Sequence, residues 1–165
     1  MTASDAQRIP PHHDRTCFGC GDNPFGLHLP LPAEEGADGY EAYLHFDERH
    51  QAGPGFVHGG LIAAALDEAC GLLATWHRFP AVTARIFVRY RRPVAINTEF
   101  LVRAQVTSSR GRRIRIDGQL LDGAEILAEA RGAFLHVPLA HFLATPEGRA
   151  AGEAWRRRLV ARDDA

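Results

Sequence analysis

The sequence contains no lysine: all 19 of its basic residues are arginine. That absence excludes a Schiff-base lysine and the phosphate-binding lysine of a P-loop. Serine is nearly as scarce, present only at Ser4, Ser108 and Ser109. None of the three stands in the G-x-S-x-G turn that exposes a hydrolase nucleophile. Cysteine is limited to Cys17, Cys20 and Cys70, an odd number that argues against a disulfide framework. Charge is balanced, with a formal net charge of -1 over 165 residues, so the chain lacks the basic surplus of a nucleic-acid binder. No segment reaches the roughly 18 uncharged apolar residues of a membrane span, and the opening stretch "MTASDAQRIPPHHDR" lacks the apolar core of a signal peptide. The expectation is a cytoplasmic protein with neither a nucleic-acid nor a membrane partner.

What is present is one domain's worth of chain, 45% hydrophobic and 24% charged. Residues 1–16 are polar and read as a flexible N-terminal arm, 17–137 as the folded domain, and 138–165 as a C-terminal helical extension. "LHLPL" (27–31) and "YEAYLHF" (40–46) are short strand candidates, and 58–76 favours helix through its many Ala and Leu residues. Four period-two segments follow, at 82–90, 100–106, 114–120 and 126–134. In the first of them Val82, Ala84, Ile86, Val88 and Tyr90 alternate with Thr83, Arg85, Phe87 and Arg89. Strands, one long helix and then consecutive strands predict an α+β fold with an antiparallel sheet on a single helix. One helix covers one face, so the open face predicts a homodimer or a dimer of dimers.

The helix itself, "HGGLIAAALDEACG", carries two adjacent carboxylates in its middle. At 100° per residue Ile62, Leu66, Ala69 and Leu73 form a core stripe. Gly60, Ala64, Asp67 and Gly71 form a second stripe of small residues around one carboxylate. Such a carboxylate is either catalytic or paired with an Arg across an interface. Glu68 falls about 100° away with Leu61, Ala65 and Leu72, and reads as an exposed or ion-paired bystander. Gly59 and Gly60 occupy the first turn, where N–H groups without intrahelical partners attract an oxyanion and glycine admits a close ligand. His58 faces away from Asp67 and reads as a residue that fixes the loop, with a base as the alternative.

Cys17-x-x-Cys20 with His12 and His13 upstream contains the donors of a zinc site. A single Cys-x-x-Cys without a second spaced pair is weak, and Gly19, Gly21, Asp22, Asn23 and Pro24 make the stretch read as a turn. No metal and no cofactor are therefore expected.

"HQAGPGFVHGGLIAAALDEACG", "AVTARIFVRYRRPV" and "SSRGRRIRIDGQLLDGAEILAEARGAFL" resemble the hot dog-fold, PaaI-like thioesterases, as does "CFGCGDNPFGLHL". The resemblance covers about residues 17–137. It implies a helix wrapped in an antiparallel sheet, dimers that often pair into tetramers, and acyl-CoA hydrolysis at the dimer interface. By position, Gly59 would donate its N–H to the thioester carbonyl. Asp67 of the other subunit would be nucleophile or general base, and Thr83 would help position the water. The motif histidine is His58. Gln51, Gly55 and Gly60 would line the substrate, and Arg89, Arg91, Arg92, Arg110, Arg112 and Arg113 are candidates for the coenzyme A phosphates. Several relatives carry an Asn where this chain has Ala52, and Gln51 is the nearest substitute. A non-catalytic acyl-CoA binding protein is the alternative.

Overall fold

The computed structural model describes residues 16–33 and 36–153. The arm with His12 and His13 and the end of the C-terminal extension lie outside the described residues. Five strands form one antiparallel sheet: β1 Gly39–Phe46, β2 Ala81–Tyr90, β3 Thr98–Arg110, β4 Arg113–Asp122 and β5 Glu125–His136. Their spatial order is β1-β3-β4-β5-β2. The helix α1, Gly59–His77, enters between β1 and β2 and touches every strand.

Period two in the sequence becomes inside and outside in the sheet. In β1, Tyr40, Ala42, Leu44 and Phe46 are buried under the helix, while Glu41, Tyr43 and His45 point to solvent. Leu66, Ala69 and Leu73 of α1 share one core with Val102, Ile114, Ile116 and Leu120 of the sheet, all fully buried. A close approach is at Gly118 of β4, where a Cβ would lie 2.8 Å from the Cys70 sulfur. The outward face is polar along β1 and β3, with Arg103 bound to Glu41 at 2.5 Å. Tyr43 and Phe87 are large apolar side chains that stay exposed on it.

Two expectations are corrected. The segment 27–31 joins no sheet: Pro30 has no N–H to give a ladder, and Leu27 and Leu29 instead donate to the carbonyls of Phe18 and Gly19. Leu27 and Leu29 are nonetheless buried, so the segment is a strap over the core. The alternation in β2 also breaks, because a bulge lies between Thr83 and Arg85. Ile86 and Val88 still pack on the core, but the extra residue turns Thr83 toward the helix instead of Ala84. Past β5, a short 3-10 turn at Leu139–Ala144 and helical backbone from 146 to 153 begin the C-terminal extension.

Candidate active site

The loop that delivers the chain to α1 is fastened at several points. Asp47 caps the 3-10 turn Glu48–His50, accepting from Arg49 N at 2.9 Å, while His50 Nδ1 accepts from Asp47 N at 3.0 Å. Hydrogen bonds from Arg49 hold the Asp47 carboxyl well below the usual carboxylate range. His50 is buried, and its carbonyl accepts from His58 N. Gln51 Oε1 accepts from Gly55 N at 2.7 Å. Gly55 has φ +84, a conformation that glycine adopts at little cost. Gln51 and Gly55 thus brace each other across the loop, and this use already engages the Gln51 carbonyl.

His58 is the N-cap of α1, and its Nδ1 accepts from Gly60 N at 3.0 Å. That contact requires an unprotonated Nδ1 and occupies the Gly60 N–H. Gly59 stands at the first helical position, with its N–H outside the intrahelical ladder. Tyr90 donates its hydroxyl to the Gly59 carbonyl at 2.9 Å, tying the helix start to the end of β2. Among the described residues, then, the helix start offers Gly59 N–H to a ligand.

Two turns along the same helix, half-buried Asp67 accepts at Oδ1 from Thr83 Oγ1 at 3.0 Å. Burial raises the Asp67 pKa, and the Thr83 hydroxyl partly opposes the rise. The stripe Gly60, Ala64, Asp67 and Gly71 is only partly covered within the chain. At about 1.5 Å per residue, the eight residues from Gly59 to Asp67 separate them by about 12 Å. One acyl carbonyl cannot reach both in the same copy. Cys70, on the buried side, is no nucleophile: burial, with the Asp67 and Asp117 carboxylates adding to it, pushes its thiol up to about 12.

Of the two readings of Glu68, exposed or ion-paired, the structure removes the exposed one: the residue is half-buried. Its stripe mates Ala65 and Leu72 are fully buried, and its Oε1 is buried as well. It lies under the Cys17–Cys20 turn, where a Cβ on Gly19 would fall 1.9 Å from the Glu68 Cδ.

The arginines divide into two groups. Arg89 and Arg91 sit at the end of β2 near the helix start, Arg91 paired with Glu129 at 2.8 Å and Arg92 with Glu125 at 2.9 Å. Arg110, Arg112 and Arg113 surround the β3–β4 hairpin and, with Ser108, Arg115 and Leu135, line an open concavity of ≈ 420 Å³. Tyr90 is level with Ala128, and Arg113 with Leu135, so the groups lie about 23 Å apart along β5. Within one chain they do not form one phosphate site.

Comparison with known proteins agrees with this architecture. A family model described as the thioesterase superfamily matches residues 54–129, from the loop before α1 into β5. The acyl-coenzyme A thioesterase THEM4 of Mus musculus is 31% identical over 87 residues, 52% of this chain and 37% of that protein. This chain thus matches well under half the length of that relative. The E. coli PaaI protein from the phenylacetic acid degradation operon superposes with TM-score 0.62 at 18% identity, covering 68% of this chain and 81% of that one. The smu.793 protein of Streptococcus mutans, whose structure is bound to acetyl CoA, superposes with TM-score 0.61 at 17% identity over 66% and 88%. Residues 54–129, a little under half of the chain, thus resemble the thioesterase superfamily, and the sheet with its long helix α1 is the hot dog fold shared with the superposed structures.

Proposed function

We propose that the chain hydrolyses acyl-CoA thioesters at two equivalent sites of a homodimer. The observation that carries this reading is the split of the chemistry along α1. An open N–H at Gly59 and a carboxylate at Asp67 stand about 12 Å apart on one rod, too far for one carbonyl. Two copies related by a two-fold axis bring the Gly59 of each beside the Asp67 of the other. The ten-residue edge strand β2, which carries Thr83 and Tyr90, is the natural seam, because its outer N–H and C=O groups await a partner strand.

In such a site the thioester carbonyl accepts from Gly59 N–H at the positive end of the helix, which stabilises the oxyanion as it forms. Asp67 either takes the proton of the attacking water or attacks the carbonyl itself, with its oxygen aimed by Thr83. Collapse of the intermediate expels the coenzyme A thiolate, which takes up a proton. Where water attacked, the free acid is left directly; where Asp67 attacked, an acyl-Asp67 anhydride is left that a water then hydrolyses to the free acid and the regenerated carboxylate. Antiparallel pairing also gathers the arginines. Arg89 and Arg91 flank Gly59 in one copy, and Arg110 and Arg112 lie at the Asp67 end of the other, so both groups can serve one set of phosphates. No step calls for a cofactor, and a cytoplasmic location fits the substrate.

A second reading, an acyl-CoA binding protein without turnover, draws support from the loop. Gln51 and His58 are both engaged in bracing it, so Gly59 N–H polarises the carbonyl with no side chain beside it. Steady-state hydrolysis of an acyl-CoA panel decides between the two. Turnover by the wild type, lost in Asp67→Asn with acyl-CoA binding retained, supports the hydrolase. Binding without turnover on every acyl chain supports the second reading.

A further inference from the structure

Three side chains that the proposed thioester site does not use converge on one point. The sulfurs of Cys17 and Cys20 and a carboxylate oxygen of Glu68 all lie within 4.8 Å of one another. They come from distant parts of the chain, the thiols from the turn before β1 and the carboxylate from the middle of α1. Gly21 N donates to Cys17 O at 3.0 Å, which closes the turn between the two thiols. Leu27 N and Leu29 N donate to Phe18 O and Gly19 O at 2.8 and 2.9 Å, so the strap holds the turn down on the helix. Gly19 leaves the space that Glu68 fills, since any side chain there would overlap the carboxyl group. None of the cysteines is joined in a disulfide, and Cys20 is buried.

Two thiols and a carboxylate brought together, with Cys20 buried and Cys17 and Glu68 half-buried, suit a divalent, borderline-soft cation. With metal–sulfur and metal–oxygen bonds of about 2.3 and 2.0–2.2 Å, the donor atoms of a tetrahedral site lie somewhat under 4 Å apart. Small side-chain rotations close the remaining distance. Calcium and magnesium select all-oxygen donor sets, and the thiols exclude them. A dithiol redox pair would use both sulfurs but has no need of a carboxylate packed against them.

We propose that Cys17, Cys20 and Glu68 bind a zinc ion that fastens the Cys-x-x-Cys turn to α1. On binding, the two thiols lose their protons to solvent and two metal–sulfur bonds and one metal–oxygen bond form, with no change of oxidation state. The fourth position is left to water or a further donor. The expectation of no metal is thereby revised: the third ligand is supplied by the fold, one residue from Asp67, where Cys spacing alone cannot register it. A metal here fixes the rotation of the helix at the position next to that carboxylate.

Elemental analysis and cobalt spectroscopy on the full chain test the site. Protein purified without chelator carries about one equivalent of zinc. After chelation, Co²⁺ titration saturates at about one equivalent with a thiolate-to-cobalt charge-transfer band in the near ultraviolet. The band weakens in Cys17→Ser and in Cys20→Ser. In Glu68→Gln it persists, but cobalt binds roughly 10–100-fold more weakly. A wild-type protein that takes up no cobalt overturns the proposal, as does uptake without a thiolate band, which marks surface carboxylates only. A band unchanged in Cys17→Ser overturns it too, and so does a reduced protein that ignores metal but readily forms a Cys17–Cys20 disulfide. The wild-type spectrum decides even where a variant fails to fold, and none of these readouts depends on turnover.

Discussion

Thr83 donates its hydroxyl to Asp67 at 3.0 Å, across the line where the edge strand β2 meets α1. In the proposed thioester site this contact aims one carboxylate oxygen and leaves the other to a reactant, which makes Thr83 a positioning residue that acts through Asp67. It exists because the β2 bulge turns Thr83 inward.

Replacing Thr83 by Val keeps the shape and removes the donor. A hydrogen bond of this kind is worth about 1.5–3 kcal/mol when one partner is charged, so kcat is expected to fall about 10- to 100-fold. KM should change little, because the substrate does not depend on this contact to bind. Thr83→Ser should restore most of the rate, and a Ser variant as slow as Val would remove the hydroxyl from the mechanism.

Gly59 separates a folding role from a catalytic one. A Cβ at this position would meet the Tyr90 ring at 3.7–3.9 Å, ordinary van der Waals contact, so Gly59→Ala folds with an unchanged thermal midpoint. In the proposed site the same methyl stands where the thioester approaches the N–H. A loss of about 10²-fold in kcat/KM is expected, the scale of one oxyanion donor. Full activity in a well-folded Gly59→Ala protein would move the oxyanion site elsewhere.

Much of this was legible in the sequence. The alternation in Tyr40–Phe46 and in the later strands, and the Ala- and Leu-rich run after His58, define the sheet and helix to within a few residues. What periodicity cannot register is an inserted residue: the bulge at Ala84 reverses Thr83, and another between Val106 and Ser108 carries β3 on to Arg110. Strand order is hidden as well. Because β2 pairs with β5 and β4 lies beyond it, Arg89 and Arg112 fall at opposite ends of the sheet. The burial of Glu68 has a visible cue, since Ala65 and Leu72 on the same stripe mark that side of the helix as covered.

The loop before α1 should respond to acid through Asp47. Its folded-state pKa is depressed by the Arg49 hydrogen bonds, so it contributes stability above its unfolded pKa of about 4 that is lost as pH falls through the folded value. Asp47→Asn retains a capping oxygen for Arg49 N but loses the charge. The variant should be about 0.5 kcal/mol less stable at pH 7, the scale of a solvent-screened pair, and the gap should close toward pH 2. Urea midpoints across pH measure this, and a gap that widens in acid would assign the stability to another group.

The contact between Gly118 and Cys70 makes the sharpest prediction about the core, because it concerns a single methyl group. Helix and sheet approach so closely that a Cβ on residue 118 would lie 2.8 Å from the Cys70 sulfur, with Leu66 and the Ala130 methyl at 3.5 and 3.6 Å behind it. Neither the buried helix nor the centre of β4 can move to make room, so Gly118→Ala overpacks the core and should cost about 1–3 kcal/mol. Cys70→Ala removes the obstructing atom and alone leaves a small void. Combined, the two substitutions move one group across the interface at nearly constant volume. The double variant should therefore be more stable than Gly118→Ala, with a coupling of about 1 kcal/mol or more in a double-mutant cycle by urea denaturation. Additive effects would mean that Gly118 is required for its backbone rather than for the passage of the helix.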